Sequence, residues 1–249
     1  MLVVFISHLA RPALVEAEAL GPALGLTAYD ARLALAVPPP IILLTTTDEA
    51  RANDILAVLR ARGHGAHIFD DASFVSSDKM IRADDFVFDP EGMRRTATGE
   101  LLPYGDVFAI LRAVHDTTNE VERQSSPSIT DNFAPRVAAL QATTKHEERE
   151  PVAYFFRRSG DKPWLLRERH SSYVGLGEER TSVAVANFTR TITRIREGAA
   201  MAIYDDRLSR RRVTERLSPA GAQSPREGMD LLAHLLAMTI ASQGGSPYR

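Results

Sequence analysis

The chain contains no cysteine. That excludes a disulfide framework, a thiolate nucleophile, an iron–sulfur site and a cysteine-type zinc site, and it fits a reducing compartment. Long apolar runs are missing too: no stretch reaches the roughly 18–20 residues that a membrane-spanning helix needs. The apolar start, Met1 to Leu9, lacks a basic lead and a small-residue cleavage site and soon meets Arg11 and Pro12. It reads as a first strand and not as a signal peptide. Neither sign of charge dominates. The formal net charge is −2 over 249 residues, which gives no global pull toward nucleic acid or anionic lipid. There is also no G-x-S-x-G elbow, no phosphate loop, no G-x-G-x-x-G and no H-E-x-x-H. These absences lead to the expectation of a cytoplasmic protein with no membrane span, no metal and no cofactor.

What is present begins with a well-punctuated segment over residues 1–71. Leu2 to Ser7 is β-branched and apolar, the pattern of a buried strand. Pro12 opens a helix, with Leu14, Ala17, Leu20 and Leu24 as its apolar stripe, and Gly25 ends it. Thr27 and Asp30 are spaced to cap a second short helix, which Pro38 to Pro40 stop. Ile41 to Leu44 is a second strand. Thr46 and Glu49 form a capping-box pattern before a helix whose face carries Ala52, Ile55, Leu56 and Leu59. Gly63 and Gly65 close that helix, and Ala66 to Phe69 is a third strand. The order β-α-α-β-α-β is that of a small open sandwich.

The run Leu24-Gly25-Leu26-Thr27-Ala28-Tyr29-Asp30-Ala31-Arg32, with this element order, resembles the C-terminal domain of the ribosomal stalk protein and the related Clp-protease adaptor fold. The resemblance implies an α/β domain over residues 1–71. The stalk family holds translation factors on a lysine-rich helix face, whereas this sequence has no lysine before Lys79.

Residues 76–249 read as a β-rich module with C-terminal helices, so the fold class is α+β. Asp85 to Asp89 and Met93 to Thr96 are strands about a Pro90-Glu91-Gly92 turn. Leu101 to His115 is a long bent strand, with a short helix over Asp106 to Val114 as the alternative. Residues 116–150 are polar, and a mobile insertion is expected at about 118–150, with a short helix near Val137 to Leu140. Val152 to Arg158 and Trp164 to Arg169 form a hairpin, and Tyr173 to Gly177 a loop. Ser182 caps a helix carrying Val185, Phe188, Ile192 and Ile195, and a last helix covers about Glu227 to Ala241. The succession of short strands, long strand, hairpin and amphipathic helix resembles part of a bacterial pleckstrin-homology-like domain.

Three groups of residues bear on function. Asp85 and Asp89 share a strand face, and with His115 they are the candidate centre of a metal-dependent hydrolase or nuclease. Between Thr191 and Leu217 seven arginines stand against four acids. Arg207, Arg210, Arg211 and Arg212, joined by Arg157 and Arg158 of the hairpin, are the candidate basic face for phosphate or an acidic partner. Trp164, the single tryptophan, is either core or a surface anchor. The preferred reading is a non-enzymatic protein-binding or adaptor protein whose partner is another protein, possibly an acidic one; nucleic acid is not favoured. The hydrolase and an anion-binding regulator are the alternatives.

Overall fold

The computed structural model describes residues 1–122, 143–211 and 224–244, with only the backbone for 117–122 and 143–148. Helices and strands are mixed throughout, in more than one sheet. The first sheet holds β1 (Leu2–His8), β2 (Ile41–Thr46) and β3 (Gly65–Asp70) in the order β2-β1-β3, with both pairings antiparallel. Three helices connect its strands: α1 (Ala13–Leu24), α2 (Ala28–Leu35) and α3 (Glu49–Ala61). Local chemistry sets their ends. Gly25 adopts a left-handed φ of 71° and closes α1, and the Thr27 hydroxyl accepts the Asp30 N–H to open α2.

Three details depart from the sequence reading. Pro12 sits at the N-cap of α1, one residue before the helix proper. Asp48, not Thr46, caps α3 by accepting the Arg51 N–H; Thr46 Oγ1 accepts from Asp48 N instead. The buried side of α1 is Glu16, Ala17, Leu20 and Gly21, so Leu14 faces outward.

A three-stranded meander follows: β4 (Ile81–Arg82) leads to β5 (Phe86–Asp89), β6 (Gly92–Arg95) and β7 (Leu101–Pro103), of which the last three pair in order. Next comes a long antiparallel hairpin of β8 (Val107–Glu122) and β9 (Thr143–Arg157). Residues 107–114 are therefore strand and not the alternative helix. The polar segment at 116–150 supplies the far arms of this hairpin, paired from Asp116↔Arg149 to Glu122↔Thr143, and the expected helix at 137–140 lies outside the described residues. With β10 (Trp164–Arg167) and β11 (Ile203–Asp205), the second sheet has the order β11-β8-β9-β10-β4. Helix α4 (Ala184–Gly198) starts after Val183 with no side-chain cap, so Ser182 has no capping role. Val185 is exposed, while Phe188, Ile192 and Ile195 are buried as expected. The expected loop at 173–177 is largely a turn of 3₁₀ helix.

Helix α5 (Pro225–Gly244) fixes the architecture. Leu231 and Leu235 pack on Val3, Phe5 and Phe69, the face of the first sheet turned away from α1–α3. Leu232, Ala233, Leu236 and Ala237 pack on Leu111, Tyr154 and Phe156 of the second sheet. Strand alternation explains both contacts, because successive side chains leave opposite faces. Val4 and Ile6 point into the core under α1–α3. Ile110, Phe155 and Trp164 point into a separate core under α4 and the meander. The layers thus run helices, sheet, α5, sheet, then α4 with the meander. A helix buried on nearly all sides is apolar all round, as α5 is along most of its length. No described helix is long and apolar enough to cross a membrane.

Candidate functional site

The proposed catalytic trio does not assemble. Asp85 accepts the Ser172 hydroxyl, Asp89 holds Arg94 at 2.6 Å, and His115 lies in a different core against Tyr154 and Asp230. Among the described residues no group of three or more histidines and carboxylates is arranged to hold a metal ion.

The arginines are divided among separate tasks. Arg157 is held by Asp106 at 2.6 Å and Asp161 at 3.2 Å. Burial works to raise the Asp106 carboxyl, yet the Ser159 N–H and hydroxyl and Arg157 together bring it below its ordinary value. Arg158 donates its backbone N–H to Asp106. Arg207 pairs with Asp205 at 2.8 Å. Arg211 reaches across to the first module and donates to the carbonyls of Pro38 and Pro40, both at 2.8 Å; burial lowers its guanidinium to about 10. Arg210 is exposed, and Arg212 lies outside the described residues. Two more arginines of the basic stretch lie over rings, Arg194 on Phe88 and Arg196 on Tyr204, at 4.5 and 4.2 Å. Trp164 is fully buried in the core under α4, so it cannot serve as a surface anchor.

Two clusters of buried ionisable groups went unrecognised in the sequence. In the first module Glu16 is fully buried and takes a bidentate grip from Arg62, at 2.6 and 3.1 Å. His64 Nδ1 accepts the Ala10 N–H, which leaves its Nε2 proton to donate to Glu16 at 3.0 Å. The Arg62 hydrogen bonds lead in holding the Glu16 carboxyl below its ordinary value, against the opposing effect of burial. The second cluster surrounds α5. Tyr154 donates to Asp230 Oδ1 at 2.7 Å, and His115 Nε2 lies 2.6 Å from the Tyr154 oxygen and 3.1 Å from the same Asp230 oxygen. Asp230 Oδ2 accepts the Ser77 N–H at 2.8 Å. One helical turn on, His234 Nε2 lies 3.0 Å from the Val75 carbonyl oxygen and 3.4 Å from the Val75 nitrogen. Burial favours a neutral Asp230, but the bonds from His115, Ser77 and Tyr154 prevail and lower its carboxyl. Burial, then the Asp230 charge, drives the Tyr154 phenol well above its usual value. All four side chains are shut away from solvent. This arrangement fastens the 75–77 connector and both long strands to α5.

Comparison with protein-family models, curated proteins and solved structures gives no match.

The accessible chemistry lies instead on the outside of the α1–α2 hairpin. Leu14, Val15, Glu18, Ala19, Pro22 and Leu26 form the outward side of α1 and its exit, and Tyr29 and Leu33 lie one turn apart on α2. Leu14, Val15, Tyr29 and Leu33 are 63%, 55%, 61% and 51% exposed. Arg32 lies over the Tyr29 ring at 5.6 Å. Glu18 is the single charge on the outward side of α1. The hairpin is anchored from behind, where Arg51 of α3 donates to the Ala23 carbonyl at 2.6 Å. A surface helix ordinarily turns polar residues to water. Counting Leu14 into the buried stripe hid this face; an i, i+4 tally of 14, 18 and 22 would have revealed it.

Proposed function

We propose that this is a non-enzymatic protein-binding or adaptor protein that docks its partner on the outer face of the α1–α2 hairpin. The observation that carries the reading is the set of large apolar side chains, Leu14, Val15, Tyr29 and Leu33, that two adjacent helices hold in water. With Glu18 the single charge on the outward side of α1, that side fits a partner that presents apolar side chains around a basic group. That differs from the acidic partner suggested by the arginine count.

The test pairs Leu14→Asp with Leu33→Asp in the full chain. Both sites are exposed, so the melting curve should stay within about 0.5 kcal/mol of wild type. Proteins cross-linked to the wild type in cell extract and identified by mass spectrometry should be lost from the variant. An unchanged set of captured proteins would overturn the reading. Capture of the chain itself, with a concentration-dependent mass in solution, would identify a second copy as the occupant.

A further inference from the structure

Each layer pressed onto α5 contributes a histidine to its surroundings. His67 of β3 shares a face with Phe5, their rings 5.3 Å apart and 24° from parallel, and its Nε2 lies 3.0 Å from Ser7 Oγ. His115 of β8 meets Asp230 from the other side. His234 of α5 stands among three phenylalanines, Phe69 of the first sheet, Phe74 of the connector and Phe156 of the second sheet, with ring centroids 6.0, 5.5 and 5.1 Å away. The other ionisable groups described on and against α5 include Asp230, Tyr154, Glu227 and Arg226, the last paired with Asp78 at 3.0 Å, and Arg60 acts on His67 from the far side of its strand.

We infer that α5 is an acid-released clasp: lowering the pH frees the helix from between the two sheets before the outer layers come apart. The outer layers have cores of their own. Val4, Ile6, Leu20, Ile55 and Leu59 pack under α1–α3, and Phe155, Trp164, Phe188 and Ile192 pack under α4, with no residue of α5 in either. At the centre of the joint stands the imidazole of His234, fully buried between the two sheets. A proton added to His234 places a cation in a site fully shut off from water among three phenylalanine rings, a desolvation cost that the Val75 carbonyl and Asp230 offset only in part.

The direction of the pH effect follows. Burial lowers His234 to about 4, although the Val75 bond and the Asp230 charge oppose it. Burial, with the Arg60 charge, lowers His67 as well. Both groups thus fall below the ordinary imidazole value of about 6.5, so docked α5 binds fewer protons than released α5. Docking is fully favoured above about pH 6.5 and weakens as the pH falls toward 4.

The single tryptophan allows a clean test in the full chain, because Trp164 reports on the core that α5 does not enter. An acid titration would follow 8-anilinonaphthalene-1-sulfonate fluorescence and Trp164 emission together. We expect dye binding to rise between about pH 6.5 and 4 while Trp164 emission holds its position. His234→Gln keeps a donor for Val75 and removes the titration; it should move the dye transition down by roughly half a pH unit or more. His67→Asn does the same on the facing sheet and decides the matter if His234→Gln does not fold. The inference is overturned if the tryptophan and dye signals change together, or if neither variant moves the transition.

Discussion

Among the described residues two carboxylates, Glu16 and Asp230, are buried against histidines, and they are used differently. Glu16 sits under His64, and its second partner, Arg62, reaches solvent with 28% of its side chain exposed. All its partners belong to residues 10–64, so the cluster closes a single layer. Asp230 sits against His115, and its other partners are a phenol and a backbone amide, both buried. Its partners are drawn from the connector, β8 and β9, 76 to 153 residues away in sequence. The contrast shows how surroundings set the role of a buried acid. A guanidinium at the surface makes Glu16 a local ion pair; buried donors from distant segments make Asp230 a fastener between layers.

Asp230→Ala is the most severe way to break this comparison. It leaves the Tyr154 hydroxyl, the His115 N–H and the Ser77 amide without their buried acceptor. The expected loss is about 3–5 kcal/mol in a denaturant melt; a loss below about 1 kcal/mol would mean that water replaces the carboxylate.

Glu16→Gln should cost roughly half as much, because Arg62 can turn its charge to solvent. Its signature is in the pH dependence. The lowered Glu16 carboxyl contributes stability above the ordinary glutamate value of about 4.3 and loses it as the pH falls through the folded value. The variant should therefore lose less stability than wild type on acidification below about pH 4.3. An identical acid limb in both proteins would remove the distinction between the clusters.

Thr27→Ala supplies the exposed reference. It removes the cap of α2, where the Thr27 hydroxyl accepts the Asp30 N–H at 3.1 Å and donates to the Asp30 carboxylate at 2.6 Å. About 0.5–1 kcal/mol should be lost, independent of α5. Dye binding to the variant at neutral pH should match wild type; an increase would show that α2 controls the middle layer.

The parts of the fold legible in the sequence are those written in neighbouring residues. Gly25, Thr27 and the three prolines punctuate α1 and α2 whatever packs beside them, and the continuous apolar, aromatic-rich run Val152–Phe156 marks a strand on its own. The asymmetric placement of α1 was not legible. Leu14 and Leu20 look alike in a stripe, and only the depth of Glu16 and Gly21 shows which side faces in. The arginine face failed for a related reason. Composition counts charges but not their partners, and Asp106, Asp205 and the Pro38–Pro40 carbonyls take up three of the cations. The Asp230 centre had no local signal, since its members are separated by tens of residues and each alone is an ordinary buried polar side chain.

The central position of α5 also sets a schedule for biosynthesis. Both sheets are fully translated before the helix that fills the space between them. At about 5–20 residues per second, the interval from the end of β3 to the start of α5 is on the order of ten to thirty seconds. Throughout that time Val3, Phe5 and Phe69 present an uncovered apolar surface on the nascent chain. The first module therefore emerges from the ribosome with one side finished and the other exposed to chaperones, and the late arrival of a single helix ends that exposure.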